Sequence, residues 1–354
     1  MSKTKLSKTS VGIIFSFLVI LVTVNEGVCA SQAKAQLKLR EAPSPPDALD
    51  LRKIPYKIVY ESYRKTNGTE NWELYLVNAD GSNPGNLTRT PDVDELYPHA
   101  SPDGTKICFV ADELVEKKKT RNVYYMNIDG SRRVKVTDNA RQPCWGRDGK
   151  TIAYLKGEFD RYTITDYATK GLFFYDIETR KHTQHPNTNL HHLYNICWSP
   201  DGRWFLATVH GGMGFKHANL AFQIDANKVF DLTKYGVTGC RPDWSFDGKR
   251  ITWGLTDWDL CVANIDTTTG EPRVTEVRRV VKCGKEDEVY HSEFSPDAKY
   301  IAFSHGPEAN EMVGGMAPGW NICISDMTGN WVKVTTDGNH NKEPDWVPIR
   351  KPGR

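Results

Sequence analysis

The chain has 354 residues, a formal net charge of +2 and 39% hydrophobic residues. So balanced a charge, with no basic stripe carrying interleaved aromatics, excludes electrostatic nucleic-acid binding, and the Lys117 to Lys119 cluster reads as a solvated loop tip. At the N-terminus, Lys3, Lys5 and Lys8 precede an apolar run, Val11 to Val24, that is short for a membrane span, and Val28-Cys29-Ala30 offers a small-residue cleavage site before Ser31. Residues 1–30 are therefore expected to be a signal peptide, giving an exported product with no membrane span once it is removed. Residues 31–53, with Pro43, Pro45 and Pro46, read as a linker, and residues 54–350 as one domain.

Within that domain a strand-turn-strand phrase returns six times: Tyr97 to Gly104, Gln142 to Gly149, Asn195 to Gly202, Arg241 to Gly248, His291 to Ala298 and Glu343 to Pro348. The spacing of about 45 to 53 residues is that of propeller and array repeats. Each phrase opens with a short strand, turns at or near Asp-Gly, and returns as an apolar strand such as Lys106 to Ala111, Thr151 to Leu155 or Trp204 to Val209. A third strand follows (Leu74 to Gly81, Val123 to Gly130, Leu172 to Glu178), and a fourth is marked by Asn86-Leu87-Thr88, Val136-Thr137 or Val334-Thr335. Four antiparallel strands per unit make a propeller blade, so the fold class is an all-β propeller with six blades counted from repeats. The first unit lacks its opening strand, while Glu343 to Pro348 is an opening strand with no blade after it. The C-terminal strand is therefore expected to pair into the first blade and close the ring.

Seven cysteines remain after Cys29 is removed, an odd number that leaves at least one thiol outside any pairing within the chain. Cys108, Cys144, Cys197, Cys261 and Cys323 lie in strand-like runs and read as buried small hydrophobes. Cys240 and Cys283 flank turns and are the better disulfide candidates, with pairing left open.

The opening strand of a blade lines the central channel. Counting back from the aromatic position (Ala100, Trp145, Trp198, Trp244, Phe294, Trp346), the residues three before it are Tyr97, Gln142, Asn195, Arg241, His291 and Glu343. One before it stand His99, Cys144, Cys197, Asp243, Glu293 and Asp345. Strand alternation predicts that both sets share one face and make a polar channel lining. His99, His291, Asp243, Glu293 and Asp345 are chemically suited to a metal, and His291 beside Glu293 or Glu343 to acid/base work. The bland alternative is a hydrated channel whose charges satisfy one another. The sequence has no Cys-x-x-Cys-His, Gly-x-Ser-x-Gly, His-Glu-x-x-His or P-loop motif, so it names no catalytic residue, metal site or cofactor of its own. Long excursions at Asp112 to Asn122, Gly157 to Gly171, Gly211 to Asn219, Gly254 to Asp259 and Gly306 to Trp320 are expected at the rims. Leu255, Asp257 and Trp258 form the candidate partner-contact loop.

Ser101-Pro102-Asp103-Gly104, Ser199-Pro200-Asp201-Gly202 and Pro242-Asp243-Trp244-Ser245 resemble the repeat of TolB-type propellers, though only a linker precedes Ile54 where TolB has a further α/β domain. Taken whole, in length, leader, repeats and absent haem motif, the chain resembles the propeller (beta) subunit of hydrazine synthase from anaerobic ammonium-oxidising bacteria. That resemblance implies seven blades and membership of a multi-subunit oxidoreductase that joins nitric oxide and ammonium into hydrazine. It also implies haem on partner subunits, none in this chain, and the anammoxosome lumen as compartment. Two alternatives stay open: a TolB-like periplasmic adaptor that binds an envelope protein, and a propeller-type carbohydrate lyase with its site in the channel near Arg241, His291 and Glu343.

Overall fold

The computed structural model describes residues 39–41, 48–66, 68–116, 118–157, 169–308 and 315–349. The signal-peptide segment, most of the linker, and the centres of the Gly157 to Gly171 and Gly306 to Trp320 excursions lie outside these residues.

Six antiparallel blades make up the described residues. Blade 1 joins His340–Val347 to Lys57–Thr66, Thr69–Asn78 and Gly85–Asn86. Blade 2 is Asp94–Ala100, Lys106–Val115, Lys118–Asn127 and Val134–Thr137. Blade 3 is Ala140–Trp145, Thr151–Gly157, Thr169–Asp176 and His182–Gln184. Leu193–Trp198, Trp204–His210, His217–Gln223 and Val229–Asp231 form blade 4. Blade 5 is Cys240–Trp244, Arg250–Thr256, Asp259–Asp266 and Arg273–Lys282. Asp287–Phe294, Ile301–Pro307, Asn321–Ser325 and Trp331–Lys333 form blade 6. Each opening strand touches the next around a closed circle, which makes them the inner strands. The C-terminal strand closes it, with Ile58 opposite Trp346 and Val59 opposite Asp345.

The repeated turn shows why these residues fold this way. Ser101 Oγ donates to Asp103 Oδ1 (2.7 Å) and accepts the Lys106 N–H (2.9 Å), while Asp103 Oδ1 accepts the Thr105 N–H (3.0 Å). Against the cost of burial, the Ser101 and Thr105 hydrogen bonds hold the Asp103 carboxyl down at about 2. Gly104 then supplies the left-handed backbone, φ 67°, and Ser199, Asp201 and Gly202 repeat the arrangement in blade 4. Packing follows the same repeat: six hydrophobic clusters sit one at each blade junction, with Trp145, Trp198, Trp244, Phe294 and Trp346 buried in them. At about 25 cal/mol per Å² and ~200 Å² per ring, each aromatic contributes on the order of 5 kcal/mol.

Two stretches differ from the sequence reading. Asp112 to Asn122 is not a loop: the two strands continue as a hairpin out to Val115 opposite Lys118. Arg121 grips Asp112 through a buried two-pronged ion pair (2.7 and 2.8 Å), which extends the ladder. Arg40–Glu41, inside the stretch read as linker, lies parallel along the outer strand of blade 5, with Arg40 opposite Arg278 and Glu41 opposite Arg279. Cys108, Cys144, Cys197, Cys261 and Cys323 are buried thiols. Cys283 is a free, half-buried thiol, so a Cys240–Cys283 bridge is not formed.

Candidate functional site

All six inner strands carry one shared irregularity. The register shifts at the bulge in every blade. There Tyr97, Gln142, Asn195, Arg241, His291 and Glu343 take φ of 53°, 48°, 48°, 58°, 57° and 51°. A left-handed residue other than glycine costs about 1 kcal/mol or more, so something must hold each in place. Four of the six N–H groups donate to a side chain of the preceding blade: Tyr97 to Glu61 Oε2 (2.7 Å), Asn195 to Gln142 Oε1 (2.8 Å), Arg241 to Thr208 Oγ1 (2.9 Å) and Glu343 to Ser304 Oγ (3.1 Å). Glu61, Thr208 and Ser304 occupy equivalent places in their second strands, opposite Lys342, Tyr194 and Tyr290.

The bulge breaks the alternation that placed the two residue sets on one face. In blade 2, His99 pairs with Cys108 and Leu96 with Val110, so the residue sharing the side of His99 is Leu96 and not Tyr97. The two sets form separate rings.

The ring one residue before the aromatic laces blades together. Ala100 N–H donates to Asp345 Oδ2 (2.6 Å), Trp145 N–H to His99 Nδ1 (3.3 Å), Trp244 N–H to Cys197 Sγ (3.3 Å) and Phe294 N–H to Asp243 Oδ2 (2.8 Å). Cys197 also donates to Asp243 Oδ1 (2.9 Å), and Asp345 Oδ1 accepts its own Trp346 N–H (2.8 Å). Burial, then Asp243, Asp345 and Glu343, pushes the Glu293 carboxyl well up, and burial raises Asp243 as well.

The ring at the bulge is joined within itself. Gln142 Nε2 donates to Asn195 Oδ1 (3.4 Å), and Arg241 stacks over the Tyr290 ring at 4.4 Å. His291 Nε2 lies 2.5 Å from Glu343 Oε1, and its Nδ1 is 3.2 Å from Ser304 Oγ, which also accepts the Glu343 N–H. Ser304, His291 and Glu343 are the residue types of a hydrolytic triad. Ser304, however, has no exposed surface and is hydrogen-bonded on both sides, so this trio fastens blade 6 to the closing strand. Glu61, beside Lys342 (3.8 Å), is pushed up to about 8 by burial.

Sequence reasoning missed Glu61, Thr208, Ser304, Arg147 and Phe246. The first three are polar residues inside otherwise apolar second strands, which was the available signal. Arg147 and Phe246 stand where other repeats have the proline of Ser-Pro-Asp-Gly, and they stack on each other at 3.8 Å. Between them and the carboxylates is a cavity of about 20 Å³, room for one water, lined by His99, Arg147, Cys197, Asp243, Glu293 and Asp345. Among the described residues no three His, Cys, Asp or Glu side chains are grouped to hold a metal ion. At the rim, Asp257 and Trp258 form the tip of the blade 5 hairpin, Thr256 opposite Asp259. Asp257 accepts from Tyr290 OH (2.8 Å), Lys285 Nζ sits 5.4 Å from the Trp258 ring, and Leu255 packs inward against the core.

The described residues form a closed six-bladed β-propeller, similar in fold to the propeller of TolB. No protein-family model and no curated protein matches the chain. Among solved structures, TolB from Acinetobacter baumannii aligns with a TM-score of 0.62 at 19% identity, over 83% of this chain and 67% of that one. Hydrazine synthase from Kuenenia stuttgartiensis aligns at 0.57 and 14% identity over 82% of this chain and 46% of that one, less than half of its length. A putative TolB from Agrobacterium tumefaciens gives 0.51 at 16% over 83% and 99%. At such identities the likeness is one of fold.

Proposed function

We propose that this chain is a non-catalytic propeller subunit of an exported multi-subunit oxidoreductase of the hydrazine synthase type, which makes hydrazine from nitric oxide and ammonium. In this reading the haems belong to partner subunits, the complex works in the anammoxosome lumen, and the propeller contributes binding surface through its rim. The observation that carries it is the engagement of the polar centre: Asp243, Asp345, His99, Ser304 and Gln142 accept hydrogen bonds from the next blade, so their chemistry holds the ring together. No helix among the described residues is long and apolar enough to cross a membrane.

Purification of the protein from its native host tests the reading. Co-elution with haem-bearing chains is the expected result. Recovery as a lone stable monomer would overturn it. A lipoprotein of the envelope as sole partner would favour the adaptor alternative, and an active monomer with bound metal the lyase.

A further inference from the structure

A pocket of about 380 Å³ opens on the outer side of blade 5, lined by Arg40, Glu41, Val262, Ala263, Asn264, Glu276 and Arg278. That is the size of a small-molecule site. Its origin is local: the pairing of Asp259–Asp266 with Arg273–Lys282 jumps from Val262 opposite Arg278 to Asn264 opposite Thr275. Glu276 takes φ 55° in that step, so a bulge parts the two strands, and the Arg40–Glu41 strand walls the far side.

The charges lining the pocket are unevenly answered. Glu276 Oε2 accepts from Asn264 Nδ2 (2.9 Å), and Glu41 Oε1 is held by Arg279 Nη1 (2.6 Å). Arg279 in turn reaches Asp259 at 3.1 Å. Among the described residues no side-chain hydrogen bond or close ion pair engages the guanidinium of Arg278 or Arg40. Arg278 is half-buried; burial, followed by the neighbouring Arg250, lowers its pKa against the opposing pull of Glu276, so the carboxylate on the pocket wall only partly answers its charge.

We infer that this pocket binds a small molecule through a compact oxyanion, carboxylate or phosphoryl, gripped by Arg278 and Arg40. Such groups match the planar fork of a guanidinium two bonds at a time. The site is separate from the channel and from the blade 5 rim hairpin, so it stands or falls independently of the subunit role proposed above.

Titration of the full mature chain with inorganic phosphate and, separately, with citrate at low ionic strength, followed by calorimetry and amide chemical shifts, tests the inference. Saturable binding of at least one anion is expected, weakened at least tenfold by Arg278→Gln and several-fold by Arg40→Gln. Arg203→Gln, on the blade 4 turn where Arg203 pairs with Asp201, should leave it unchanged. Phosphate binding alone assigns a phosphoryl ligand, and citrate alone a carboxylate. Should Arg278→Gln fail to fold, Arg278→Lys keeps the charge and removes the fork, and weakening of several-fold is expected there too. Absence of saturable binding, equal binding by the Arg278 variants, or equal loss in Arg203→Gln overturns the site.

Discussion

Replacing Asp345 by alanine removes the acceptor for two buried donors, the Ala100 N–H at 2.6 Å and the Trp346 N–H at 2.8 Å. Both residues are buried, Ala100 at 6% and Trp346 at 1% exposure, so water cannot replace the lost partner. A buried donor left unsatisfied costs roughly 1–3 kcal/mol, which puts Asp345→Ala at about 4 kcal/mol for the pair. Asp345→Asn keeps one acceptor oxygen and turns an amide N–H toward the other donor, a loss of about 2 kcal/mol. Part of either loss is offset, because Asp345 is one of the charges that push Glu293 up. Thermal melts of the mature chain should fall by ~8 °C for alanine and about half that for asparagine. Exchange of the Ala100 amide should speed up in both. An asparagine variant as stable as the wild type would mean that repulsion among Asp243, Glu293 and Asp345 outweighs the lacing bonds, and the structural reading of that ring would fail.

The other predictions draw on different parts of the ring. Gly104→Ala would place a Cβ 2.0 Å from the Pro348 carbonyl oxygen, while at Gly149 and Gly202, the same turn position, nothing lies within 4 Å. The first substitution should cost more than about 3 kcal/mol and the other two about 1 kcal/mol each, as read by denaturant midpoints; equal costs would contradict the closing geometry. Glu61 is raised from 4.5 to about 8 in the folded protein, so the native state holds a proton that the unfolded state releases, and this residue's contribution falls as pH rises between those values. Glu61→Gln retains an acceptor for the Tyr97 N–H and should gain on the wild type by roughly 3–5 kcal/mol from pH 4.5 to pH 8; parallel pH profiles would refute the shift. Trp258→Ala should weaken association with partner chains while lowering the melting temperature by only a few degrees, whereas global unfolding would make Trp258 a core residue.

Blade number and closure were legible in the sequence because both depend on short-range chemistry that repeats. Ser, Asp and Gly fix each turn, the aromatic after it fills each junction, and the orphan strand at Glu343 to Pro348 matches the missing strand of blade 1. The seven blades implied by resemblance gave way to the six that the repeats count. The bulge was not legible: left-handed backbone normally advertises itself as Gly or Asn, and here Tyr97, Gln142, Arg241, His291 and Glu343 adopt it, with the preceding blade supplying an acceptor for the N–H of Tyr97, Arg241 and Glu343. With that extra residue unseen, strict alternation merged two rings into one face. Asp112 to Asn122 looked like a loop because it is charged, yet its charges pair across a hairpin. Arg40–Glu41 offered two charged residues and no strand pattern at all.

Hydrogen exchange on the native complex, compared with the isolated chain, tests the central claim most directly. If the polar rings serve the ring and the rim serves a partner, the amides of Ala100, Asn195, Phe294 and Glu343 are protected in both states, and the complex adds protection at the Thr256 to Asp259 hairpin tip. Inner-strand amides that exchange freely until the complex forms, with no change at that rim, would place the functional surface in the channel and contradict the account.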